Sequence, residues 1–179
     1  MKNTALMILM LLASMAYGQS NRVNLKGTNE IGLNYNRWNE IYNSKINSPA
    51  SNDYFTIGYG RWITNHSVVG SNIGYSYQGV HQHQWSASLF LKEYVVSSHR
   101  FGVYGKAEIG MQQRIVSTGT SRDRDHITTT LLIGQIGAGA EYRITPKFSV
   151  FGEGNYLRAK HKQESRGYFS WTTGLRFRF

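Results

Sequence analysis

The sequence predicts an all-β fold: an eight-stranded antiparallel up-and-down barrel that crosses a membrane. Three observations carry that prediction. Apolar and polar residues alternate with period two in eight successive segments after the first eighteen residues. The segments are long enough for the roughly 9–11 tilted residues that a membrane strand needs. Their connections alternate between tight turns and mostly longer, more polar stretches, which is the pattern of an outer-membrane barrel.

The first strand falls near Asn29–Asn39, where Ile31, Leu33 and Tyr35 oppose Gly32, Asn34 and Asn36. The second, near Asp53–Thr64, carries Phe55, Ile57, Tyr59 and Ile63 on one face. The third, near Ser67–Gly79, sets Val69, Ile73, Tyr75 and Tyr77 against Gly70, Asn72, Gly74, Ser76 and Gln78. Near Gln84–Val96, Trp85, Ala87, Leu89 and Leu91 oppose Ser86, Ser88 and Lys92. Near Phe101–Val116, Val103, Ala107, Ile109 and Met111 oppose Tyr104, Lys106, Glu108, Gln112 and Arg114. Near Ile127–Arg143, Leu132, Ile136, Ala138, Ala140 and Tyr142 oppose Gln135, Gly137, Gly139 and Glu141. Near Lys147–Arg158, Phe148, Val150 and Tyr156 oppose Ser149, Glu153 and Asn155. The last strand is the clearest, with Phe169, Trp171, Thr173, Leu175, Phe177 and Phe179 on one face and Ser170, Thr172, Gly174, Arg176 and Arg178 on the other. The tight connections are Asn65-His66, Ser97–Arg100 and Ile144–Pro146; the others are Glu40–Asn52, Val80–His83, Ser117–His126 and Ala159–Arg166, of which Val80–His83 is short.

Composition narrows the class. A chain of 179 residues is one domain with at most a short appendage. Charged residues are 17%, against roughly 25% in an ordinary soluble domain. With no Cys there is no disulfide scaffold, thiolate zinc site, Cys nucleophile or lipidated Cys. Mean hydropathy is −0.42, and the one apolar run, Ala5–Ala16, is too short to span a bilayer as a helix. Behind Lys2, and followed by the small residues Ala16 and Gly18, that run reads as the core of a cleaved signal peptide over residues 1–18. Residues 19–179 then form the barrel domain, exported to the outer membrane and about +9 in charge.

The polar face separates a lipid-embedded barrel from a soluble one. It is rich in Gly, Ser, Asn, Thr and Gln, and it carries Lys92, Lys106, Arg114 and Arg176 together with Glu108, Glu141 and Glu153. In a narrow eight-stranded lumen these would form a network of mixed sign filled in by small neighbours. Trp38, Tyr54, Trp62, Trp85, Tyr142, Tyr168 and Trp171 fall near strand ends, where interfacial aromatics belong. Arg61 shares the outward phase of Tyr59 and Ile63, so it snorkels to the interface or the second strand contains a bulge.

Over Gln19–Phe179 the chain resembles the small eight-stranded outer-membrane barrels of the OmpX type and of the OmpA transmembrane domain. It looks more specifically like the short outer-membrane β-barrel domain proteins of Bacteroidetes-type Gram-negative bacteria. The C-terminal strand carries the most specific part, with terminal Phe179 and Phe177, Leu175 and Trp171 in phase behind it. In that family such a strand is the signal read by the barrel-assembly machinery. The resemblance brings no catalytic motif and no cofactor.

Other candidate sites are weaker. His81 and His83 have a spacing that puts two imidazoles on one side of an extended chain, but the sequence supplies no third metal ligand. A lipid A modifying enzyme needs a Ser activated by His on a lipid-facing strand. His126-Ile127-Thr128 and His66-Ser67 do not supply it, so no enzyme is expected. Arg122-Asp123-Arg124-Asp125-His126 reads as a self-paired solvated loop. Lys160, His161, Lys162 and Arg166 form a basic patch in the last outer loop, placed to meet lipopolysaccharide phosphates. Export makes nucleic acid an unsuitable partner for the basic chain. The expected role is structural or surface-interactive, by a monomer: envelope integrity, lipopolysaccharide contact or adhesion through the outer loops. A small-solute channel or lumen-ligand binder is the alternative.

Overall fold

The computed structural model describes residues 24–40, 52–77, 82–118, 125–161 and 164–179; within the strands, the side chains of 38–40, 52, 77, 82, 116–118, 125–126, 161 and 164–166 lie outside the description. Eight strands run in chain order: β1 (Asn29–Glu40), β2 (Asn52–Trp62), β3 (Ser67–Tyr77), β4 (Gln82–Ser97), β5 (Phe101–Thr118), β6 (Asp125–Arg143), β7 (Phe148–His161) and β8 (Glu164–Arg178). Each pairs antiparallel with the next, and β1 pairs with β8, so the sheet is a closed barrel without an edge. The β1–β8 ladder runs from Glu30 opposite Arg178 to Glu40 opposite Tyr168, and two backbone bonds between Asn29 and Phe179 extend it.

Register gives the stagger. Followed strand by strand, Leu33 leads through Ile57, Ile73, Ala87, Met111, Leu132 and Lys160 to Ser165. The direct β8 partner of Leu33 is Leu175, ten residues beyond Ser165. A stagger of that size over eight strands tilts them by about 35–45°.

The faces are inside out relative to a soluble barrel. Leu89 is 65% exposed and Ile73 63%, whereas Lys92 is 4% and Arg176 3% exposed. Large apolar side chains at mid-strand facing outward are stable against hydrocarbon, where a closed ladder satisfies every backbone group. Arg61 also faces outward, and β2 pairs regularly through it, so no bulge accounts for its phase. The register shift lies instead in β4, between Tyr94 and Val96.

The short turns share one side of the barrel with Leu25 and Phe179, and that side is termed inner, after the usual asymmetry of such barrels. A Ser or Thr hydroxyl organises each turn. Thr64 accepts from the amides of His66 and Ser67, Ser98 from that of Phe101, and Thr145 from that of Phe148.

Three sequence expectations change. The stretch Ala159–Arg166 is not a loop: β7 runs to His161 and β8 starts at Glu164. Likewise Gln82 and His83 belong to β4, Ser117 and Thr118 to β5, and Asp125 and His126 to β6. Trp62 and Tyr54 are not interfacial; they are 1% and 3% exposed and point inward, and half-buried Tyr168 packs inside against Ile133, Leu157 and Ala159. Nearness to a strand end suggested the interface, but position in the two-residue repeat decides the face. Trp85, Tyr142 and Trp171 do face outward, and the Trp38 side chain lies outside the described residues.

Candidate functional site: a charged plug in the lumen

The inner half of the lumen holds five cations, Lys92, Lys106, Arg143, Arg176 and Arg178, and four carboxylates, Glu30, Glu108, Glu141 and Glu153, among the described residues. They come from β1, β4, β5, β6, β7 and β8 and are brought together only by closure.

Arg176 stands at the centre. Its Nη1 donates to Glu141 Oε2 at 2.9 Å and to Tyr94 Oη at 3.2 Å. Its Nη2 donates to Glu153 Oε1 at 2.9 Å and Tyr104 Oη at 2.6 Å. The guanidinium lies 3.7 Å from the Phe151 ring centroid. Glu141 also accepts from Arg143 Nε, Arg178 Nη2 and the Tyr94 hydroxyl. Lys106 bridges Glu108 at 2.8 Å and Glu153 at 3.1 Å. Lys92 pairs with Glu30, which also accepts from Trp62 Nε1 at 3.1 Å. Each carboxylate meets at least one cation, as burial of charge in a narrow lumen requires. Small inward residues make the room: a Cβ on Gly139 would lie 2.7 Å from the Tyr104 ring, and one on Gly174 2.8 Å from Phe151.

Below the charges, the residues leading into β1 seal the inner mouth. Leu25 is buried in a cluster with Trp62, Val68, Phe90, Tyr94 and Tyr104. Asn65 Oδ1 accepts from the Leu25 and Lys26 amides at 3.1 and 3.0 Å. Gly27 has φ +87°, which a glycine adopts without strain, and its amide donates to the Trp62 carbonyl.

The outer half is built differently. Asn34, Asn36, Tyr54, Thr56, Ser86 and Thr172 line it, joined by bonds such as Asn34 to Thr56 at 2.8 Å and Tyr54 to Ser86. Between these and Ile133 remains a space of about 30 Å³, and beside Arg176 another of about 20 Å³. Each accommodates about one or two waters.

Of the sequence-predicted network, Lys92, Lys106, Glu108, Glu141, Glu153 and Arg176 come together in the lumen. Arg114 shares their phase but sits exposed at the outer end of β5. Glu30, Arg143 and Arg178 were missed, although each occupies an inward position of the same repeat. Trp171, Leu175, Phe177 and Phe179 face outward along β8. Lys160 is exposed on β7 rather than in a loop; Lys162 and the Arg166 side chain lie outside the described residues, as do His81 and Arg122–Arg124. His83 Nδ1 is 2.8 Å from the Tyr75 hydroxyl, and no group of metal-ligating side chains occurs among the described residues.

Several solved structures share this architecture. The N-terminal β-barrel domain of Pseudomonas aeruginosa OprF aligns over 88% of this chain and all of its own, with a TM-score of 0.58 and 17% identity. Neisserial surface protein A aligns over 85% and 96%, with a TM-score of 0.59 and 13% identity. The Yersinia pestis attachment invasion locus protein Ail aligns over 86% and 99%, with a TM-score of 0.52 and 17% identity. This is the fold of the small outer-membrane barrels. No protein-family model and no curated protein sequence matches the chain.

Proposed function

We propose that the chain is a monomeric, non-catalytic outer-membrane barrel that acts through its surfaces: it contributes to envelope integrity and contacts lipopolysaccharide at its outer rim. The filled lumen carries this reading. Paired charges, stacked aromatics and the Leu25 seal occupy the path that a solute would take. Lys160 and Arg158, both exposed on β7, supply the basic outer surface. Adhesion through the outer connections is compatible with this role. Among the structural neighbours, Ail is an attachment invasion locus protein, also solved in complex with the heparin analogue sucrose octasulfate.

Planar-bilayer recording tests the central claim. The refolded barrel should give no stable conductance steps; regular openings would make it a small-solute channel instead. Electrophoresis of the outer-membrane fraction, cold and boiled, should show heat-dependent migration, and the mature mass should begin at Gln19. Lipid A from cells with and without the protein should give identical mass spectra, and a lost or gained acyl chain would establish an enzyme. Deleting Phe179 should lower assembly without lowering synthesis, as expected if the assembly machinery reads the terminal strand.

A further inference from the structure

The rim that carries the short turns is basic. Lys26 stands beside the first turn, held there by the bond from its amide to Asn65, and Arg61 lies nearby on β2. Arg100 and Lys147 end the second and third short turns, just before β5 and β7. All four are exposed, and none has an ion pair among the described residues. Glu93 on β4 is the one acidic side chain on the outward face near this rim among the described residues. It pairs with Gly105, five residues along the chain from Arg100, and so stands about 16 Å away.

Arg100 and Lys147 sit on neighbouring turns. The Arg100 carbonyl accepts from the Arg143 amide, and Arg143 pairs with Ser149, two residues past Lys147. Their backbones are therefore roughly 10–12 Å apart, a gap that two long side chains close around one ligand. Between them Tyr142 and Ile144 are exposed on the outward face, and exposed Phe101 pairs with Tyr142. The Tyr142 hydroxyl has no hydrogen bond among the described residues. Two cations and a hydroxyl donor thus stand at the edge of an apolar surface. A phosphodiester headgroup suits both parts at once. Its oxygens accept from Arg, Lys and Tyr, while its acyl chains lie against Phe101, Tyr142 and Ile144. A soluble polyanion would use only the charges. A zwitterionic headgroup would bring an ammonium group into the same basic field.

We propose that Arg100, Lys147 and Tyr142 form a seat for one anionic phospholipid. The phosphate sits between the guanidinium and the ammonium group, and the Tyr142 hydroxyl donates to it. The seat is at the opposite end of the barrel from Lys160, so it is separate from the lipopolysaccharide contact proposed above and does not depend on it.

The test is native mass spectrometry of the full refolded barrel, titrated with phosphatidylglycerol, phosphatidylethanolamine or lipid A. The unaltered protein should bind one phosphatidylglycerol about tenfold more tightly than phosphatidylethanolamine. Arg100→Gln combined with Lys147→Gln should weaken phosphatidylglycerol about tenfold and leave lipid A unchanged. Tyr142→Phe, which keeps the ring, should weaken it about threefold. Lys26→Gln combined with Arg61→Gln removes the same charge from the far side of the rim and should change little. Heat-dependent migration reports folding of each variant. If the two double variants weaken phosphatidylglycerol equally, the attraction is a diffuse field and the seat is overturned. Equal binding of the two phospholipids by the unaltered protein would also overturn it. Tighter binding of lipid A, lost in the Arg100 and Lys147 variant, would assign the seat to lipid A and overturn the phospholipid proposal. No change in Tyr142→Phe would remove Tyr142 from the seat.

Discussion

The inner and outer halves of the lumen are made by the same strands in the same two-residue repeat, yet their chemistry differs. The inner half is a lattice of buried charges wedged between Trp62, Tyr94, Tyr104 and Phe151. In the outer half, β1 to β4 contribute neutral amides and hydroxyls, and β6 and β7 contribute the apolar Ile133, Leu157 and Ala159. The difference shows where specificity is held. A neutral hydrogen bond contributes about 1 kcal/mol net. Breaking a buried ion pair by removing one partner costs about 3–5 kcal/mol, because the other charge is left uncompensated. The inner half therefore tolerates one arrangement, and the outer half tolerates exchange of partners.

The largest effect expected is that of Glu141→Ala, which strips an acceptor from Arg143, Arg176, Arg178 and Tyr94 at once. It should cost about 3–5 kcal/mol in urea unfolding of the barrel in lipid vesicles. A loss below 1 kcal/mol would erase the distinction between the halves.

Glu108→Lys probes the boundary. Glu108 accepts from Asn72 and Ser88 and meets Lys106 at 2.8 Å, so reversal sets two ammonium groups together. About 3 kcal/mol should be lost in the same measurement. Unchanged stability would mean that the side chain escapes outward along the neutral half.

Leu25→Ala tests the seal and should cost about 2 kcal/mol. Hydrogen exchange should quicken at the amides of Leu25, Lys26 and Gly27, leaving the β4–β5 ladder protected. Uniform loss of protection would make the seal part of the barrel's cooperative unit. The smallest effect should come from Asn36→Ala in the outer half, about 1 kcal/mol, because Thr172 and Thr56 keep other partners or reach water. A cost equal to that of Glu141→Ala would show that the halves are equally demanding.

Much of this was legible along the chain. The phase that puts Ile31, Leu33 and Tyr35 outward also puts Glu30 inward, and the phase of β8 puts Arg178 beside Arg176. The Trp62 error has the same root: Arg61 and Ile63 flank it in the outward phase, so the repeat itself pointed the indole inward. Extension of β7 and β8 through Lys160 and Arg166 was not legible, because polar residues at a barrel's outer end leave the hydrocarbon and lose the apolar alternation.

The sequence by itself determined that this is an eight-stranded barrel, which residues face in and out, and that the inward face carries both signs of charge. Period-two alternation is a local property, readable one strand at a time. Only the tertiary structure decided that Arg176 on the last strand meets Glu141 and Glu153, that Glu30 from the first meets Lys92, and that Leu25 closes the inner mouth. Those contacts follow from closure and from the ten-residue stagger, which belong to the sheet as a whole.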